Sequence, residues 1–295
     1  MITLVDIPNR DNNAVKHKKN IYPQSEAQDL PRNFFVFLGI GARGSGKTFS
    51  CVKLLDLYSK YKVLDNHGNN IDQRIILFSP TVDGNPIFNS LKNLDTDDIH
   101  TNYSDDKLVS VIENVKRERE ETLKYQYWVK VYTKFTKIKH IKELDPEYLL
   151  FLHTKNFEPP TEADTPNYPN GVINHLVFDD LVGTDAFKSI GKSALTNLIL
   201  KNRHLSCNIY VLSQNLKAIP KSVRTNTSVF ALFRFNNKKI VEDLYQEVSN
   251  LMTLSQFEEI YNQATSELHN FLLLDFTAKL ENRVKQNYNK VFKIN

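Results

Sequence analysis

Residues 34–48 read Phe-Phe-Val-Phe-Leu-Gly-Ile-Gly-Ala-Arg-Gly-Ser-Gly-Lys-Thr, an apolar strand that runs directly into a glycine-rich loop. Gly41 to Thr48 satisfies G-x-x-x-x-G-K-[ST]. A buried-type strand before it and a helical pattern after it are the context in which that spacing forms a phosphate-binding loop. Gly41, Gly44 and Gly46 permit positive φ, which lets backbone N–H groups curl around phosphate oxygens. The helix opening near Lys47 adds unpaired N–H groups and a positive dipole end at the same point. Lys47 supplies a charge for the β- and γ-phosphates, and the Thr48 hydroxyl stands where Mg²⁺ is ligated. Arg43, Ser45 and Phe49 complete the expected nucleotide-binding set. A plain glycine-rich turn would require neither a lysine nor a hydroxyl at the helix start.

At 295 residues the chain can bury one sizeable core with embellishments, but not two full nucleotide-binding domains with accessories. A hydrophobic fraction of 41% with 11% aromatics indicates a globular chain. No run approaches the ~18 apolar residues of a membrane span, and residues 1–30 lack a signal-peptide pattern. A soluble, intracellular protein without a membrane partner is expected. The only cysteines, Cys51 and Cys207, fall in expected core elements, and no C-x-x-C or H-x-x-x-H spacing suggests a zinc site. Net charge is +4, and residues 116–142 carry nine Lys/Arg against three Glu, so the whole positive excess sits in that segment.

Residues 1–32 are polar, contain Pro8, Pro23 and Pro31, and read as an extended arm. Strands are expected at 34–40, 74–79, 173–178, 208–213 and 229–235, with a last apolar run at 271–276. Helices are expected from the loop to about Tyr61 and at 190–204, 239–249 and 255–265. A turn falls at 66–70, and the four prolines of 158–171 mark a loop. Strands alternating with helices imply an α/β fold, a mostly parallel sheet covered on both faces. The division expected is an arm (1–32), a nucleotide-binding domain (33–276) with a basic insertion at about 101–170, and a tail (277–295).

The strand at 173–178 closes on Asp179-Asp180, at the strand end where ligands meet an open α/β sheet. Asp179 is placed to hold the Mg²⁺ shell, and Asp180 to polarise an attacking water. A solvated strand-end turn would also accept two aspartates. The strand at 208–213 leads into Gln214, a polar amide able to sense a γ-phosphate. Arg203, eleven residues earlier, lies at a helix end. An arginine there either answers the helix dipole or reaches a neighbouring subunit's γ-phosphate with its planar fork.

Five segments together carry a family resemblance: Gly-Ala-Arg-Gly-Ser-Gly-Lys-Thr (41–48), Val-Phe-Asp-Asp-Leu (177–181), Asn-Arg-His-Leu (202–205), Leu-Ser-Gln-Asn (212–215) and Ile-Pro-Lys-Ser-Val-Arg-Thr-Asn (219–226). The chain resembles the poxvirus-type DNA-packaging ATPases of large double-stranded DNA viruses and virophages, within the FtsK–HerA superfamily. The likeness spans roughly residues 33–276 and is strongest from Val177 to Phe235. It implies a RecA-like fold, ATP hydrolysis with Mg²⁺, and a homo-oligomeric ring that pumps double-stranded DNA into a preformed capsid. Capsid proteins would then be partners, in the host cytoplasm or a viral factory, with association to the virion. The same match puts Asp180 at the catalytic acidic position beside Lys47, Gln214 at the polar sensor, and Arg203 at an arginine acting in trans. Arg224 and Arg234 are further candidates. The arm and residues 101–165 match no motif of the family.

From Lys124 to Lys142 there are six lysines and no acids, interleaved with Tyr125, Tyr127, Trp128, Tyr132 and Phe135. Trp128, Val131, Phe135 and Ile138 recur at helical spacing, which turns aromatics inward and leaves Lys124, Lys130, Lys134 and Lys137 for DNA phosphates. A strand is also compatible with the β-branched content. Backbone contact without base readout suits a motor indifferent to sequence. The competing reading is a nucleoside or nucleotide kinase, which also opens with strand, loop and helix. A GTP-dependent switch is disfavoured because no [NT]-K-x-D sequence is present.

Overall fold

The computed structural model describes residues 24–25, 29–65, 68–84, 86–181, 183–187 and 193–293. Most of the expected arm, part of the 66–70 turn and the start of the expected 190–204 helix lie outside them.

Among the described residues the first elements are β1 (Gln24–Ser25), β2 (Val36–Ile40), α1 (Lys47–Lys60), β3 (Val63–Leu64), β4 (Asp72–Phe78) and β5 (Ile99–His100). Then come α2 (Asp105–Phe135), α3 (Pro146–Thr154), β6 (Val172–Asp179), α4 (Ala194–Lys201), β7 (Cys207–Ser213), α5 (Lys221–Thr225) and β8 (Val229–Phe233). It closes with α6 (Lys238–Val248), α7 (Leu254–Ala264), β9 (Phe271–Asp275), β10 (Val284–Gln286) and β11 (Lys290–Val291). Nine strands form one sheet in the order β11-β10-β9-β8-β2-β7-β6-β4-β5. From β8 to β5 every pairing is parallel, while β9, β10 and β11 extend the sheet antiparallel.

Alternate residues of each strand face opposite layers. Phe37, Leu77, Tyr210, Leu212 and Leu273 pack with Leu54, Leu55 and Tyr58 of α1. Leu38, Ile76, Phe178, Val211 and Leu272 pack with the first half of α2 and with α4, α6 and α7. Both cysteines are buried in these elements. The core strands are therefore apolar on both faces, as parallel strands sandwiched by helices require.

The segment expected to be a tail belongs to the sheet. β10 pairs with β9, and Tyr288, 6% exposed, donates its hydroxyl hydrogen to the Ser50 carbonyl of α1 at 2.8 Å.

The basic insertion is largely one helix. α2 runs 31 residues, roughly 46 Å, from the Ser104 cap. Leu108 and Val115 pack on the sheet's helical layer, whereas Trp128 and Val131 lie on nearly the opposite side of the helix. Val131 joins Leu144 and Leu152 in a separate small core with α3. Arg74 fastens the middle of α2 to β4, gripping Asp98 through two nitrogens at 2.7 Å each and Glu118 at 2.8 Å. Among the described residues no helix is long and apolar enough to cross a membrane.

Candidate nucleotide site

β2, β7 and β6 end level with one another. Gly39 pairs with Leu212, Ile40 with Ser213 and Asp179 with Leu212. The phosphate loop, Gln214 and the two aspartates therefore leave the sheet side by side.

The loop is shaped by two different glycine requirements. Gly44 and Gly46 have φ of 74° and 99°, the left-handed region in which a side chain is strained. Gly41 does not need positive φ, in contrast to the sequence-based expectation; it needs space. A Cβ there would lie 2.5 Å from both Phe233 Cβ and Ser45 Oγ. Gly46 caps α1 without a side chain, and no acidic residue stands in the first turn of that helix. Its leading N–H groups thus meet no acidic side chain from their own first turn, which suits an anion there. Ser45 Oγ is buried without a hydrogen-bond partner.

Lys47 is 9% exposed and donates from Nζ to the carbonyls of Gly41 and Ala42, each at 2.9 Å. Burial pulls its pKa below the ordinary lysine value, opposed by Asp179 and Asp180. Thr48 Oγ1 donates to Asp179 Oδ2 at 3.1 Å, which joins the helix start to the tip of β6. Asp179 is 3% exposed, and its carboxyl is pushed up to about 6, chiefly by burial, with Asp180 adding and Thr48 and Lys47 opposing. A buried carboxylate beside a hydroxyl is an oxygen pair suited to Mg²⁺, which takes one or two carboxylates and completes its shell with phosphate and water.

Asp180 has φ 54°, a left-handed conformation in a non-glycine residue. Its Oδ1 accepts from Gln214 Nε2 at 3.1 Å. Strain of this kind is held in place only when the surroundings fix it, and the amide is one such restraint. Phe49 follows Thr48 on α1 and is 58% exposed beside the loop; Arg43 is exposed on it.

The arginines are dispersed. Arg203 is exposed in the turn between α4 and β7. That turn leads into the start of β7, a strand length (roughly 20 Å) from the chain's own phosphate loop. Arg224 is committed within the chain to an ion pair with Glu247 and to the Ile219 carbonyl at 3.1 Å. Arg234 leaves β8 on the loop side, donating to the Ser266 carbonyl at 3.4 Å. Together with Arg43, Ser45, His269 and Asn270 it lines a cavity of about 280 Å³. His269 and Asn270 belong to no motif in the sequence; their only signal is a polar Ser-Glu-Leu-His-Asn run entering an apolar strand.

Lys124, Lys130, Lys134 and Lys137 are all exposed, but they do not form one stripe. Lys130 and Lys134 share a side of α2, over the Tyr148 ring at 5.9 and 4.8 Å. Lys124 instead lines a groove of about 740 Å³ with Tyr125, Trp128 and Lys155. Lys137 lies beyond the helix end.

No family model matches the chain, and no curated protein matches it. Among solved structures it is similar to the genome packaging NTPase B204 of Sulfolobus turreted icosahedral virus 2 in complex with AMP, at 11% identity and TM-score 0.46, covering 86% of this chain and 96% of that one. It is similar also to B204, the DNA-packaging ATPase of Sulfolobus turreted icosahedral virus, at 12% identity and TM-score 0.44, covering 89% and 99%. A third likeness is to EccC (ATPases 2 and 3) of Thermomonospora curvata with a signal sequence peptide, at 13% identity and TM-score 0.34, covering 68% and 30%. Identities and TM-scores this low leave function to be argued from this chain's own site.

Proposed function

We propose that this protein is an ATP-driven double-stranded DNA translocase that packages a viral genome into a preformed capsid. One observation carries the ATPase part of the reading. The level tips of β2, β7 and β6 set a phosphate loop, an amide and two carboxylates in adjacent positions, with Thr48 on Asp179 and Gln214 on Asp180. Lys47 and the loop N–H groups bind the phosphates. Thr48 and Asp179 would hold Mg²⁺, which when bound offsets charge on the phosphates. Asp180, held by Gln214, accepts the proton of the attacking water. Gln214 donates to Asp180 and follows the strand next to β2, a position that suits a sensor of the γ-phosphate.

The motif resemblance supports a poxvirus-type packaging enzyme acting as a homo-oligomeric ring. Arg203, exposed and a strand length from its own loop, suits a role toward a neighbouring subunit. Lys130 and Lys134, which share a side of the second half of α2, suit salt-dependent contact with DNA phosphates, and Lys124 and Lys137, exposed elsewhere on the insertion, are further candidates. Steady-state ATP hydrolysis with and without long double-stranded DNA at low salt tests the reading. Acceptor-independent hydrolysis that rises with DNA is expected. Turnover that requires a nucleoside or nucleotide acceptor would assign the chain to the kinases instead.

A further inference from the structure

Beside the phosphate loop, the turn between α7 and β9 presses against the loop's backbone. A Cβ on Gly46 would lie 3.2 Å from His269 Cβ and Nδ1. His269 itself has φ 65°, a strained conformation for a side-chain-bearing residue. The chain holds it there from behind, through Asn287 of the turn between β10 and β11. The Asn287 side chain accepts from Phe271 N at 3.2 Å and donates to Asn270 Oδ1 at 2.9 Å, while its backbone N–H donates to the Phe271 carbonyl at 3.0 Å. Next to it, Tyr288 grips α1 through the Ser50 carbonyl. One hairpin therefore braces both the phosphate helix and the His269 turn.

The sheet order says what this braced wall faces. Lys47 and the Thr48–Asp179 contact place the terminal phosphate and metal on the β6 side of β2. β8 and β9 lie on the other side of β2. A triphosphate laid across the loop accordingly points its nucleoside toward β8 and β9, where the 280 Å³ cavity opens. That volume falls just below the usual range of ligand pockets, roughly 300–1,000 Å³, and suits part of a ligand. Its wall offers Arg234, Asn236, His269 and Asn270 as hydrogen-bonding groups, and Leu268, 81% exposed, as an apolar surface for a ring face.

We infer that this cavity receives the nucleoside half of the bound nucleotide, with His269 as a contact residue and Asn287 as the positioning residue that holds its turn. The inference rests on the ATP reading above and adds a site to it. Its test compares ATP with inorganic tripolyphosphate, which has the phosphates and no nucleoside, by calorimetric binding to wild-type protein and to the variants Lys47→Ala, His269→Ala and Asn287→Gly. Glycine at 287 keeps the left-handed φ of 54° while removing the amide. His269→Ala and Asn287→Gly are expected to weaken ATP about threefold to tenfold, the size of one or two lost hydrogen bonds, and to leave tripolyphosphate unchanged. Lys47→Ala is expected to weaken both ligands. Unchanged ATP affinity in the two cavity variants, or equal loss of ATP and tripolyphosphate, would overturn the cavity assignment while sparing the phosphate loop. Failure of wild-type protein to bind either ligand would overturn the ATP reading, and the cavity with it.

Discussion

The two ends of the same parallel sheet bury different titratable groups, a hydrogen-bonded imidazole at the roots and a carboxyl at the tips. At the strand roots, Asn208, Asn202 and His175 bind other side chains and the backbone. Asn208, fully buried, accepts from Phe34 N at 2.5 Å and donates to Asn33 Oδ1 at 3.0 Å, and Asn202 donates to the Phe34 carbonyl at 2.8 Å. His175 lies between Tyr210 at 2.8 Å and Gln73 Oε1 at 3.2 Å. Because Gln73 spends its amide nitrogen on the Tyr58 carbonyl, its oxygen accepts; His175 Nε2 therefore donates and Nδ1 accepts from Tyr210. Burial pushes the imidazole down to about 3, so it stays neutral. At the strand tips, by contrast, the buried Asp179 carboxyl is pushed up to about 6, whereas backbone strain and an unpaired buried oxygen occur at both ends, at Asp180, His269 and Ser45 Oγ here and at Phe34, Ser206 and Asn174 Oδ1 at the roots. A fully paired buried network such as that of His175 rigidifies the fold, whereas a buried carboxyl with a raised pKa favours a cationic partner.

That difference can be broken by exchanging the consequences of mutation. Asn208→Ala leaves the Phe34 N–H and Asn33 without their shared partner. It is expected to cost about 2 kcal/mol in urea unfolding, with turnover per folded molecule unchanged. A smaller effect of opposite sign is expected at the other end. Asp179 is raised above its unfolded value, so the ligand-free protein binds an extra proton between about pH 4 and pH 6, and stability falls as pH rises through that window. Asp179→Asn removes the buried charge and should stabilise the ligand-free protein at pH 7 by about 1 kcal/mol, while Mg²⁺-dependent turnover is lost. Destabilisation by Asp179→Asn, or loss of turnover in folded Asn208→Ala, would erase the distinction between the two ends.

What the sequence announces and what it conceals follow the same physics. The strands at 173–178, 208–213 and 229–235 are found within about two residues because the apolar runs at 176–178, 209–212 and 229–233 are rich in β-branched and aromatic residues and too short for helices. Asp179, Asp180 and Gln214 are legible because each ends such a run. The two halves of α2 bury nearly opposite sides, so no single apolar stripe runs its length and its path is hidden. β10 and β11 are short and read Val-Lys-Gln and Lys-Val, with Lys285 buried by donating to the Asp29 carbonyl at 2.8 Å. Nothing in a one-dimensional pattern marks a lysine as an inward strand residue. The His269 wall is hidden for another reason: it is made by a tertiary contact between residues 223 positions apart in sequence, Gly46 and His269.

The central claim is that Asp180, presented by its strained backbone and held by Gln214, does chemistry and not binding. Paired measurement of ATP affinity and steady-state hydrolysis for wild-type protein and Asp180→Asn tests it most directly. The account predicts affinity within about threefold of wild type and turnover lower by roughly 10²–10⁴, the contribution of a positioned general base. Normal hydrolysis by Asp180→Asn would contradict it, and would move the search for the group that activates water elsewhere on the strand tips.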